Sequence, residues 1–125
     1  MSFLQRLFGR NSAATSSASD KQSGGAQQAV LVYLDGTGLP EHVYKECDLA
    51  TIEDRLIEAI DRGQLGEFDG NEIGPGEATL FMYGPDAERL FAGVEAILRG
   101  YPLCQKARVQ IRRGGPGAEM REVRL

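Results

Sequence analysis

The chain is poor in the residues that most site chemistry needs. A single histidine, His42, stands among 125 residues, and the two cysteines, Cys47 and Cys104, lie far apart. A disulfide scaffold would be denser in cysteine, and metal-ligand spacing is absent. Both thiols are expected to be reduced and semi-buried, because cysteine packs well as a small hydrophobe. Long apolar runs are missing too. Nothing approaches the roughly 20 residues of a membrane-spanning helix. The first apolar patch is too short for the core of a secretory signal and no convincing cleavage site follows it, so a cytoplasmic protein is expected. Nor is there an excess of positive charge. The net charge of −4 argues against general nucleic-acid binding, which wants a basic field.

What is present suits a small folded body with an appendage. The length fits one domain plus something short, and 42% apolar residues is ordinary for a globular protein. Residues 11–28, NSAATSSASDKQSGGAQQ, contain almost no large apolar group. Such a segment does not bury enough surface to offset its ordering entropy, so a flexible, disordered linker is expected. Before it, residues 1–10 place Phe3, Leu4, Leu7 and Phe8 at helical spacing, with Arg6 and Arg10 on other faces. That is a miniature basic amphipathic segment, a candidate for weak membrane-surface or partner docking.

The folded domain is expected over 29–125. AVLVYL, ending in Asp35-Gly36, reads as a strand covered on at least one face. Glu41–Asp48 reads as an edge strand, with Val43 and Cys47 alternating, or as an ordered loop. Thr51 with Asp54 forms a capping-box pattern and opens a helix striped by Ile52, Leu56, Ala59 and Ile60, which Gly63 ends as a left-handed cap. Leu65–Asp69 is strand-like, Asn71–Gly76 a turn, and ATLFMY over Ala78–Tyr83 the strongest strand. A second helix follows with Pro85 in its first turn and Leu90, Phe91, Val94, Ile97 and Leu98 on one stripe. Val109 and Ile111 alternate with Arg108, Gln110 and Arg112, and a final hairpin returns through Met120–Leu125.

The order β-α-β-β-α-β with an extra C-terminal strand is that of a ferredoxin-like α+β fold. Right-handed crossovers put both helices on one face of an antiparallel sheet. The other face is then free, carrying either Thr79, Phe81 and Tyr83 or Leu80 and Met82, together with Arg108, Gln110 and Arg112.

The segment Gly66–Leu98, with the ending EMREVRL over Glu119–Leu125, resembles a group of small, uncharacterised bacterial proteins to which no functional family is assigned. The resemblance covers most of Val30–Leu125 and implies a ferredoxin-like α+β body but no site residues. At the level of shape alone, small acidic domains of this kind are similar to bacterial inhibitor or immunity-type proteins.

Several motifs contain residues that could carry chemistry. Asp35-Gly36-Thr37-Gly38 is similar to the turn of haloacid dehalogenase-type phosphatases, but the nucleophile position two residues earlier is Tyr33, and aspartic proteases use a different residue order. It reads as a turn. Glu67, Asp69, Asn71 and Glu72 form an acidic cluster, yet the twelfth position of a calcium loop begun at Asp69 is Leu80. His42 reads as a surface residue. Gly74–Glu77 and Gly114–Gly117 precede no helix and do not cradle phosphate. No metal, cofactor or catalytic set is therefore assigned. The expected function is a non-enzymatic protein-interaction domain, regulatory or inhibitor-like, binding a protein partner or a second copy. Its expected contact residues are Glu67, Asp69, Asn71, Glu72, Phe81, Tyr83 and Arg112. The alternatives are a small-molecule sensor or small enzyme built on a dimerised sheet face, and peripheral membrane association through Phe3, Leu4, Leu7 and Phe8.

Overall fold

A computed structural model describes residues 27–115 and 117–125. The amphipathic segment carrying Phe3, Leu4, Leu7 and Phe8, and the linker up to residue 26, lie outside the described residues. The first strand, β1, is Gln28–Asp35, and begins one residue before the expected start. Gln28 is held there because its side-chain Oε1 accepts the Ala87 amide at 2.8 Å.

Glu41–Glu46 is neither strand nor loop but a short helix, α1. Val43 and Cys47 are four residues apart, a spacing shared by one helical turn and by two strand repeats, so alternation alone does not decide. Three local features favour the helix. Pro40 enters it with φ −58°, Lys45 reaches Glu41 one turn back at 3.4 Å, and Val43 is buried. The Tyr44 hydroxyl donates to Asp35 O at 2.8 Å and accepts from the Leu39 amide at 3.0 Å, fixing α1 to the turn after β1.

The second helix, α2, spans Leu49–Gly63. Its cap is Asp48, not Thr51: the Asp48 carboxylate accepts the Thr51 amide at 2.9 Å. An aspartate three residues ahead of a free amide captures it first and starts the helix two residues before Thr51. At the other end Gly63 stays helical and Gln64 takes the left-handed conformation, φ 53°. The Gln64 amide donates to Asp61 O at 3.2 Å and the Leu65 amide to Ile60 O at 3.0 Å, the paired bonds of a Schellman ending. Leu65, the residue after the reversal, is buried in the core cluster that also contains Ile60, and that burial with the two backbone bonds holds a non-glycine residue, Gln64, in the strained position.

Strand β2, Glu67–Ile73, runs further than the expected Leu65–Asp69 and absorbs half of the expected turn. Pairing with β3, Glu77–Gly84, overrides the weak strand propensity of Asn71 and Glu72, which stand opposite Leu80 and Thr79. The price is a bulge between Phe68 and Gly70, with Gly70 at φ 130°. Helix α3, Ala87–Gly100, is capped by Asp86, which accepts the Arg89 amide at 3.1 Å. Pro85 therefore sits just ahead of the cap rather than in the first turn. A single 3-10 turn, Pro102–Cys104, leads to β4, Arg108–Arg112, and a hairpin to β5, Met120–Arg124.

The sheet has the order β2-β3-β1-β4-β5, with antiparallel partners throughout. The protein is α+β. One face of the sheet carries Val30, Val32, Leu34, Leu80, Met82, Val109 and Ile111, all buried in one core cluster with Ile52, Leu56, Ile60, Leu90, Phe91, Val94 and Leu98 of α2 and α3. Glu53 is the one buried charged residue among those described, 2% exposed, and it accepts a hydrogen bond from the Asn71 amide of β2.

Candidate functional site

Strand alternation decides what the opposite face carries. Reading across the register, β1 contributes Ala29, Leu31 and Tyr33. Their β3 partners are Tyr83, Phe81 and Thr79, and their β4 partners are Arg112, Gln110 and Arg108. Beyond β4 stand Met120, Glu122 and Arg124 of β5. Beyond β3 stand Glu67, Gly70 and Glu72 of β2. Of the two alternatives for β3, the set Thr79, Phe81 and Tyr83 is the one on this face, and Leu80 and Met82 are in the core.

No described helix covers this surface. Leu31, Tyr33, Phe81 and Tyr83 are only half-buried, although each has strand neighbours on both sides. Ala29 is fully buried, a small floor between Tyr83 and Arg112. The centre is therefore an apolar and aromatic patch. The Tyr33 hydroxyl donates to Gln110 Oε1 at 3.1 Å, and the Arg108 guanidinium lies 4.5 Å from the Tyr33 ring centre, a cation–π contact. Burial raises the Tyr83 phenol above its ordinary value, and the Asp69 charge adds to the shift, so the ring stays neutral and acts as an apolar platform with a donor at its edge.

The two margins differ in charge. Glu67 and Glu72 line the β2 side, with Glu77 at the end of β3. Arg108, Arg112 and Arg124 line the other, with Glu122 among them. Within the chain, Arg108 pairs with Glu77 at 2.9 Å and Arg124 with Glu122 at 3.0 Å. Of the seven contact residues expected from sequence, Glu67, Glu72, Phe81, Tyr83 and Arg112 share this face, and Asp69 sits in the bulge beside it. Asn71 does not belong: it points to the helix side and serves Glu53. Leu31, Tyr33, Arg108, Gln110, Glu122 and Arg124 also share the face and are outside the set of contacts expected from sequence. For Leu31 and Tyr33 the signal is the parity of β1, which a nearly continuous apolar run hides, while Arg108 and Gln110 are readable on this face from the alternation of β4 and Glu122 and Arg124 only from the pairing of β5 with it.

Other candidate groups are committed to structure. The Asp35 carboxylate accepts the Thr37 and Gly38 amides at 2.9 and 2.8 Å, which holds its pKa below the ordinary aspartate value and makes it a turn element. Cys104 is buried, and desolvation pushes its thiol up to about 12, so it remains a protonated core residue. His42 is exposed on α1. Among the described residues no group of three or more His, Cys, Asp or Glu is placed to hold a metal ion. A shallow recess of about 230 Å³ at the end of the open face is lined by Tyr33, Asp35, Glu77, Lys106, Arg108 and Arg124. Its charges are engaged with one another or with backbone: besides the pairs above, Lys106 donates to Gly38 O at 3.2 Å. No described helix is long and apolar enough to cross a membrane. Comparison with family models, with curated proteins and with solved structures finds no match to this chain.

Proposed function

We propose that this chain is a non-enzymatic protein-interaction domain that binds through the face of its sheet that no described helix covers. The observation that carries the reading is the half-exposed patch of Leu31, Tyr33, Phe81 and Tyr83 between an acidic and a basic margin. Aromatic residues and arginine are the types that supply most interface energy, and contiguous apolar surface on a small domain marks a contact site. We read the strand order as the split ferredoxin-like arrangement extended at one edge by β5. That topology explains why one whole face carries no helix among the described residues.

The test is a photo-crosslinking residue at position 81, compared with the same residue at Glu58 on the exposed side of α2. Irradiation in cells that express the full chain gives protein adducts from position 81 and few from position 58. Equal yields at the two sites, or none from either, overturn the reading.

A further inference from the structure

We infer that the occupant of the open face is a second copy of this chain, bound face to face about a two-fold axis that runs parallel to β1. The inference rests on the reading of this face as a contact surface and goes further by naming its partner and geometry.

Charge selects the axis. β1 is the middle strand of five, so an in-plane two-fold over β1 maps the sheet onto itself edge for edge. An axis parallel to β1 exchanges the two margins. β2 of one copy then lies over β5 of the other, and β3 over β4. Positions along the strand are kept, so the registers give the pairs directly. Glu72, Thr79, Tyr33, Arg108 and Arg124 form one row across the sheet, and Glu72 of one copy faces Arg124 of the other, twice. In the row of Glu67, Tyr83, Ala29, Arg112 and Met120, the Tyr83 ring faces the second copy's Arg112 guanidinium. Leu31, on the axis, faces itself. The other in-plane two-fold, perpendicular to the strands, sets each strand over its own copy and reverses position along it, so that Glu67 lies over Glu72 on β2, Arg108 over Arg112 on β4 and Glu122 over Glu122 on β5. Like charges at contact distance oppose that arrangement.

Packing geometry agrees. Sheets stack face to face about 10 Å apart with strands within about 30° of each other. Such a rotation displaces opposed edge residues by roughly 5 Å along the strand, within the reach of a glutamate and an arginine. The area sets the strength. Five strands spaced by about 4.8 Å, with about 3.3 Å per residue, give a face roughly 20 Å on a side. That is on the order of half the ~800 Å² per partner of a standard interface, so the dimer is reversible and concentration-dependent rather than obligate.

Sedimentation equilibrium of the full chain, from micromolar to millimolar, tests this. The wild type shows a monomer–dimer equilibrium that weakens in 1 M salt. Arg124→Glu and Glu72→Arg each weaken it tenfold or more. The double variant Glu72→Arg/Arg124→Glu recovers to within a few-fold of wild type, the remaining deficit coming from Glu122, which loses its own arginine. Circular dichroism checks that each variant is folded. A second measurement is independent of charge: Leu31→Cys in a Cys47→Ser background is joined to its counterpart by a short bismaleimide, which spans the roughly 10 Å between stacked sheets that a direct disulfide does not bridge, and Glu58→Cys in the same background is not. A wild type that stays monomeric at millimolar concentration overturns the proposal, as does a double variant no better than the singles. A monomer that still crosslinks to another protein from position 81 overturns the second copy alone and leaves the interaction reading standing.

Discussion

The two faces of the sheet are built from the same strands and similar residue types, yet they obey different physics. Leu80 and Met82 are fully buried, while Phe81 and Tyr83, interleaved with them, are half-exposed. On the helix side, apolar side chains interlock with α2 and α3, and each is held by neighbours in three dimensions. On the open side, similar side chains meet their cross-strand neighbours, and no described helix packs on them. The first face contributes stability. The second keeps apolar area in contact with water, which is favourable only if something else covers it. Polar residues divide the same way. Asn71 donates to the buried Glu53, and its neighbour Glu72 reaches into solvent.

The largest test of this contrast compares adjacent residues of β3. Leu80→Ala leaves a cavity under α3 and costs about 2–5 kcal/mol. Phe81→Ala removes a larger side chain but only cross-strand contacts, each worth about 0.2–1 kcal/mol. Urea unfolding at concentrations low enough to keep the chain monomeric measures both. If Phe81→Ala costs as much as Leu80→Ala, the face is not open and the contrast breaks. A smaller test uses β2. Asn71→Ala strips a donor from buried Glu53 and costs about 1–3 kcal/mol. Glu72→Ala, one residue on, changes stability by less than about 0.5 kcal/mol. Equal effects at the two positions would mean that the Glu53–Asn71 bond contributes nothing.

Much of the covered face was legible in the sequence, and the open face only in part. The stripes of α2 and α3 are long and periodic, so Ile52, Leu56, Leu90, Val94 and Leu98 were readable as core. Val109 and Ile111 alternate cleanly with charged partners, and the side of β4 followed. β1 and β3 did not show their sides, because AVLVYL and ATLFMY are apolar at both parities and only pairing with β4 assigns them. The N-terminal limits of α2 and α3 shifted by one or two residues for a related reason. An aspartate just outside each helix, Asp48 and Asp86, competes with the threonine and proline signals and wins by accepting an amide. The Glu53–Asn71 bond was invisible. It joins a helix to a strand 18 positions away, and each residue taken alone looks like surface.

The smallest expected effect concerns the arginine that leaves the basic margin. Strand parity sends Arg121 to the helix side of β5, away from Arg124. There it donates to both Glu88 oxygens, at 3.0 and 2.7 Å, with Arg113 3.5 Å from the same carboxylate. The hydrogen bonds from Arg121, reinforced by the two positive charges, hold the Glu88 carboxyl below the ordinary glutamate value. A carboxylate with a depressed folded-state pKa contributes stability that is fully present above its unfolded value, about 4.3. That stability is lost as the pH falls through the folded value. The position of Glu88 in the first turn of α3 adds a favourable interaction with the helix dipole that disappears on protonation in the same window. Both side chains are more than a third exposed, so solvent screening limits the whole contribution to a few tenths of a kcal/mol. Glu88→Gln is therefore expected to be slightly less stable than wild type at pH 7 in low salt. The gap narrows as the pH falls below the unfolded value and also in high salt. Asp35 and Asp48, whose pKa values are also lowered, titrate in both proteins and cancel in the comparison. A gap that persists unchanged at pH 3 would show that Glu88 acts through packing rather than charge, and the link between β5 and α3 would then belong with the covered face in mechanism as well as in place.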